Sequence, residues 1–126
     1  MAKFLNFSKL CPVNKFDDGD FRFVAIYAKN REEWTISDFG AMLTGITVVT
    51  LYDTLGEDST EYIIDQTKIK TCFLSADKIK LILSLKKKGK IPSLDHLIHF
   101  DPVSEEIAKQ AKEFDVKLIS YKDAIE

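Results

Sequence analysis

Three aspartates, Asp53, Asp77 and Asp101, each stand just after an apolar run of the chain. Carboxylates gathered at one edge of a parallel sheet can hold Mg²⁺, as in a phospho-receiver domain. Each of the three also flanks or opens a helical pattern, where a negative charge is favourable in its own right. The first apolar run lacks the acidic pair at its end that a receiver site would use. His96 and His99 sit in "DHLIHF". Three residues apart on a strand, they point to opposite faces and cannot share a metal ion. Cys11 and Cys72 belong to no CxxC and lie near no histidine at metal spacing, so both read as reduced intracellular thiols, Cys72 as plain core. No nucleophile pairs with a base. The residues themselves assign no catalytic, cofactor-binding or metal-ligating position.

The elements that would place these groups alternate along the chain. Apolar, β-rich runs recur at Phe23–Ala28, Ile46–Tyr52, Thr71–Ser75, Leu94–Phe100 and Lys117–Tyr121. Their spacing is that of strand–helix–strand crossovers, and several are apolar enough for burial on both faces. The segments between them read as helices. Asn30 is expected to cap the first, with Glu33 reaching back and Trp34, Phe39, Met42 and Leu43 as its apolar face. "GEDSTEYIIDQTK" begins acidic and ends on Lys68. Ser75 is expected to cap a helix that buries Ile79, Ile82 and Leu83, and Ser104 one that turns Ile107, Ala108, Ala111 and Phe114 inward. A further helix is expected over Lys3–Leu10, and "DDGD" (Asp17–Asp20) as a plain turn. No Asn-Gly or Asp-Gly step is read as joining two strands, so antiparallel hairpins are not expected. The fold class is α/β, an open parallel sheet of about five strands with helices on both faces. Residues 1–126 form one unit, of which 1–20 are an N-terminal helix and turn.

In such sheets ligands bind outside the carboxyl ends of the strands. The loop after the first strand, "KNREEW", is not GxGxxG, no GxxxxGK[ST] occurs, and "DTLGED" has a single glycine. Lys86–Lys90, "KKKGK", closes a helix, where cations suit the negative end of the dipole and Gly89 can stop it. The 126 residues are 45% hydrophobic and 30% charged, with a net charge of −2, which gives no reason to expect nucleic acid or an anionic membrane as partner. No run approaches the length of a membrane span, and "MAKFLNFSKL" is too short and polar for a secretory signal. The expected compartment is intracellular, cytoplasmic or mitochondrial.

"VAIYAKNREEW", "VVTLYDTLGEDSTEYII" and "SLDHLIHFD" together resemble the N-terminal region of long-chain fatty acyl-CoA synthetases, of the AMP-forming, adenylate-forming superfamily. Asn30, Arg31, Glu33 and Trp34 match the family's Asn-Arg-Pro-Glu-Trp motif, with Glu32 in place of proline. Leu51, Tyr52, Asp53, Thr54, Leu55 and Gly56 match its Leu-Tyr-Asp-Thr-Leu-Gly stretch. The resemblance covers most of Phe21–Glu126 and implies that this junction is architecture, with no catalytic role carried to Tyr52 or Asp53. The full-length family uses ATP, Mg²⁺ and CoA. Its Ser/Thr/Gly-rich phosphate loop, Tyr-Gly-x-Thr-Glu segment, ribose-binding aspartate and C-terminal lysine have no counterpart in this sequence.

The resemblance implies either a truncated, non-catalytic structural subunit or part of an active ligase completed by other segments. The opening Met inclines the reading to the first. A receiver-like or nucleotide-binding domain is disfavoured by the strand-end loops. Other protein subunits are the expected partners. The first helix, with Phe4, Leu5, Phe7 and Leu10, is the expected docking element.

Overall fold

Strand formation follows the apolar runs. The computed structural model describes residues 1–17 and 19–126. The main sheet comprises β3 (Phe23–Tyr27), β4 (Thr47–Leu51), β5 (Thr71–Leu74), β6 (His96–His99) and β7 (Lys117–Ser120), in the order β4-β3-β5-β6-β7. All four pairings are parallel, with Phe23 opposite Thr47, Ala25 opposite Cys72, Cys72 opposite Leu97 and Leu97 opposite Leu118. Val24, Ala25, Ile26 and Tyr27 are all buried, as are Thr71 to Leu74. That is the burial a parallel strand has when helices cover both sheet faces.

Side-chain alternation divides the core in two. Ala25, Tyr27, Cys72, Leu74 and Leu97 point to one side. There they meet α3 (Glu57–Thr67), α4 (Ile79–Lys87, entered through a 3-10 turn at Ala76–Lys78) and α5 (Glu105–Glu113). Val24, Ile26, Phe73 and Ile98 point to the other, against α1 (Ala2–Ser8), α2 (Glu32–Leu43) and α6 (Tyr121–Ile125).

The local signals work as expected at several boundaries. The Ser104 hydroxyl accepts the Ile107 N–H at 3.3 Å and caps α5. Ile79, Ile82 and Leu83 are buried, Lys68 ends α3, and Gly89, at φ +72°, follows the end of α4.

Four expectations are corrected. First, β1 (Asn14–Phe16) and β2 (Gly19–Phe21) form an antiparallel hairpin in a separate two-stranded sheet. The Asp-Gly step at 18–19 is thus a hairpin signal that the sequence reading passed over; Asp18 itself lies outside the described residues. Gly19 has φ +135°, a conformation that glycine adopts without strain. Second, Arg31 occupies the cap of α2 with no side-chain cap bond, and Glu33 binds the Arg31 guanidinium instead of reaching back to Asn30. Third, Phe39, Met42 and Leu43 face outward, while Ser37, Gly40 and Ala41 pack inward. A Cβ on Gly40 would come within 2.8 Å of Met1 Cβ, so the close approach of α1 selects the small residues. Fourth, Ala108 is exposed, and of the proposed docking residues on the first helix Leu5 is fully buried, with Phe4 and Leu10 packed against the same core. Only Phe7 remains free.

Candidate functional site

The strand order reverses at β3, because β4 lies on one side of it and β5 on the other. The crevice beyond the carboxyl ends of β3 and β5 is where an open parallel sheet presents a ligand site. Its centre is occupied by Arg31, from the loop after β3. The guanidinium donates to both Asp101 carboxylate oxygens at 3.0 and 2.9 Å, and to both Glu33 oxygens at 2.8 and 3.0 Å. Asp101, after β6, also accepts the Ala76 N–H at 3.1 Å, which ties in the turn after β5. The Phe100 ring lies 5.3 Å from the guanidinium carbon. These hydrogen bonds hold the Glu33 and Asp101 carboxyls below their ordinary pKa values and push Arg31 further up.

A second ion cluster stands beside the first. The Lys78 ammonium lies 2.9 Å from Asp53 Oδ1 and 3.6 Å from Asp77, and donates to the Asp53 carbonyl at 2.7 Å. It also sits 5.2 Å from the centroid of Tyr27, whose hydroxyl donates to the Leu55 carbonyl at 3.0 Å. The hydrogen bond to Asp53 raises the Lys78 pKa, and Asp77 is lowered first by its bond with Ser75.

The three aspartates therefore do not converge. Asp101 belongs to Arg31, Asp53 to Lys78, and Asp77 to the turn that begins at Ser75. Among the described residues no cluster of His, Cys, Asp and Glu is arranged to hold a metal ion. His99 is bound through Nδ1 to the Asp101 carbonyl at 2.7 Å, whereas the buried Nδ1 of His96 has no hydrogen-bond partner among the described residues. Their neighbours Leu97 and Ile98 belong to different cores, so the two histidines point apart as the alternation predicts. Both cysteines are buried free thiols, and burial pushes Cys11 up to about 11 and Cys72 up to about 12. Trp34 packs against the core of the α2 side and anchors that helix. The basic run also has structural partners: Lys86 binds the Leu94 carbonyl at 2.7 Å, Lys88 binds Glu57 at 2.8 Å and Lys90 binds Glu61 at 3.0 Å.

A cleft of about 330 Å³ opens at the ends of β3 and β4, with Lys29, Asn30, Trp34, Tyr52 and Asp53 in its wall. The charge along this edge opposes a phosphate ligand. The first turns of α2, α3 and α5 carry Glu32 and Glu33, Glu57 and Asp58, and Glu105 and Glu106. Helix starts attract anions through their free N–H groups, and carboxylates already placed there repel a second anion. Arg31 and Lys78 are both engaged by carboxylates, and Lys29, 79% exposed, reaches Asp53 only at 3.9 Å. The Arg31–Asp101 pair escaped the sequence reading. The two residues stand 70 positions apart, and no local signal marks their contact.

The fold is that of an open α/β unit with its strand order reversing at β3. A family model described as AMP-binding enzyme matches residues 16–123, and the chain belongs to that family. Mouse (Mus musculus) long-chain-fatty-acid–CoA ligase 5 is 31% identical over 104 residues, which cover 82% of this chain and 15% of the ligase. Fatty acyl-CoA synthetase B of Dictyostelium discoideum is 35% identical over 98 residues, covering 78% of this chain and 14% of that protein. The chain thus spans about 15% of the length of the ligases it matches. Among solved structures, the A domain of carboxylic acid reductase from Segniliparus rugosus, in complex with AMP and a co-purified carboxylic acid, superposes with a TM-score of 0.78. At 19% identity, covering 98% of this chain and 20% of that one, it shows the shared fold. No helix among the described residues is long and apolar enough to cross a membrane.

Proposed function

We propose that this chain is a non-catalytic structural unit of the long-chain fatty acid–CoA ligase type, working as a subunit of a larger assembly inside the cell, in the cytoplasm or mitochondria. The observation that carries this reading is the closed ion network at the ligand-facing edge. Arg31 and Lys78, the cations best placed to meet a phosphate there, are neutralised by Asp101, Glu33 and Asp53. Adenylation depends on stabilising charge as it moves across phosphates, and besides these the cleft wall offers a single exposed lysine, Lys29, 3.9 Å from Asp53. ATP, Mg²⁺ and CoA are accordingly not ligands of this chain by itself. Two buried free thiols fit a reducing compartment. The test is fatty-acid-dependent pyrophosphate release by the pure chain. Release at the level of a heat-killed control is expected, and any excess overturns the proposal.

A second reading rests on the 31% identity to a long-chain-fatty-acid–CoA ligase over 104 residues. In it, the chain contributes this sheet to an ATP-dependent fatty acid ligase completed by other segments. Reconstitution of acyl-adenylate formation on adding such segments is the outcome that selects it.

A further inference from the structure

We infer that the outer face of α2, together with Phe7 of α1, is a docking surface for a second copy of this chain, the two α2 helices packing antiparallel about a two-fold axis near Phe39. The inference rests on the reading above that protein covers this unit, and it names the partner. Phe7 is 71% exposed, Phe39 54%, Met42 59% and Leu43 77%, with Ile36 beside them. On α2 the positions 36, 39 and 43 follow the i, i+3, i+7 spacing of a helix–helix seam. Phe7 and Leu43 line one shallow groove with Lys3 and Thr44, so the two helices present a continuous patch.

Self-association is favoured by size and by charge. At about 150–250 Å² for a whole large side chain, these residues expose roughly 500 Å² of apolar surface per copy. Full coverage in two copies buries about 1,000 Å², the threshold for a biological interface, so the area supports a dimer at the weak end of the range. The patch is also polar in a way that complements itself. Its end at the start of α2 is acidic, with Glu32 exposed, and its other end, at Leu43 and Thr44, lies beside Lys3. An antiparallel pairing sets Glu32 of each copy against the Lys3 end of the other, and the two-fold repeats the contact. A parallel pairing would oppose like charges at both ends.

The experiment is sedimentation equilibrium on the 126-residue chain. The expected species is a dimer of the 14.4 kDa chain. Phe39→Glu or Leu43→Glu, each putting a charge into the apolar seam, is expected to weaken it at least about tenfold while thermal unfolding stays cooperative. Lys3→Glu and Glu32→Lys are each expected to weaken the dimer several-fold, and the two combined to restore it. A wild-type monomer at the highest attainable concentration overturns the proposal, as does an oligomer that Leu43→Glu leaves intact. Failure of the combined charge exchange to restore association overturns the antiparallel arrangement. None of these outcomes bears on pyrophosphate release, so a failed dimer and a failed non-catalytic reading remain distinguishable.

Discussion

The two faces of the sheet are finished to different degrees. On the α3–α4–α5 face, Ile64, Ile79, Ile82, Leu83 and Leu85 are buried, and the outer surface is tied by ion pairs such as Lys88–Glu57 and Lys90–Glu61. On the α1–α2–α6 face, Phe7, Ile36, Phe39, Met42, Leu43 and Ile125 stay open to solvent, whereas the first face leaves only Tyr62 so exposed on its described helices. The buried side-chain atoms without a hydrogen-bond partner follow the same division. Ser8 Oγ is on α1, Tyr121 Oη is in the α6 core, and His96 alternates with Leu97 onto the side of Ile98. One face is a core with a solvated exterior. The other is a core that carries a second apolar surface on its back. A domain whose stability alone were at stake would gain nothing from that second surface, which is the one proposed above to receive a second copy.

Identical residue types on the two faces give the sharpest comparison and the largest effect. Leu83→Ala removes a side chain that is 1% exposed inside the finished core and is expected to cost about 3 kcal/mol. Leu43→Ala removes one that is 77% exposed, and the monomeric chain is expected to change by less than about 0.5 kcal/mol. Urea unfolding at low protein concentration measures both. Equal losses at the two positions would break the comparison between faces.

The ion network at the strand ends links the faces, since Arg31 leads into α2 and Asp101 leads towards α5. Asp101→Asn keeps the shape but loses the charge that Arg31 requires. With both groups about one-third exposed, the expected cost is only about 1–2 kcal/mol. The pH dependence has a definite sign. Asp101 and Glu33 have folded pKa values below their ordinary 3.8 and 4.5, so the unfolded chain takes up protons first as the pH falls. Their contribution is complete above about pH 5, and it is lost as the pH falls through the depressed folded values. Asp101→Asn should flatten that acid limb. An unchanged limb would show that the pair contributes nothing to stability.

A smaller and more local effect is expected at Gly40. Alanine there gains about 1 kcal/mol of helix propensity but forces its Cβ to within 2.8 Å of Met1 Cβ and 3.0 Å of the Ala2 nitrogen. The shift should fall on α1, a terminal helix of seven residues, and not on the sheet. Amide exchange in α1 should accelerate several-fold while exchange in β3 and β5 stays unchanged. Slower exchange in α1 would mean that the helix pair has room to spare.

What the sequence made legible follows from the range of the forces involved. The five main strands could be read because burial on both faces writes a continuous apolar run into the chain. Ser104, Lys68 and Gly89 could be read because caps and stops act within a turn. The orientation of α2 could not. Large apolar residues surround much of that helix, and periodicity selected Phe39, Met42 and Leu43 as the buried face. The approach of α1 selects instead the residues with the least volume, Ser37, Gly40 and Ala41. The resemblance to acyl-CoA synthetases placed Arg31 in a motif, but only the fold joins it to Asp101, because that contact depends on two strands meeting at one edge.

The smallest effect expected concerns His96, at the base of the less finished face. Its ring is half-buried and its Nδ1 has no hydrogen-bond partner among the described residues. Desolvation is the largest influence and lowers its pKa from the ordinary 6.5. Asp95 opposes that shift, while Lys117 and Lys70 reinforce it. A lowered folded value means that the unfolded state binds the proton more readily. Stability should therefore be full above about pH 6.5 and decline gently as the pH falls towards the folded midpoint. A titration of the ring protons by NMR should place the His96 midpoint below 6.5. If a second copy seats on α2 without reaching β6, that midpoint should be the same in wild type and in Leu43→Glu. If the partner extends over this part of the face and supplies an acceptor to the ring, the wild-type midpoint should rise and the Leu43→Glu midpoint should stay low. A midpoint at or above 6.5 in the monomeric variant would show that desolvation does not dominate at this ring, and the polar side of the comparison would fall with it.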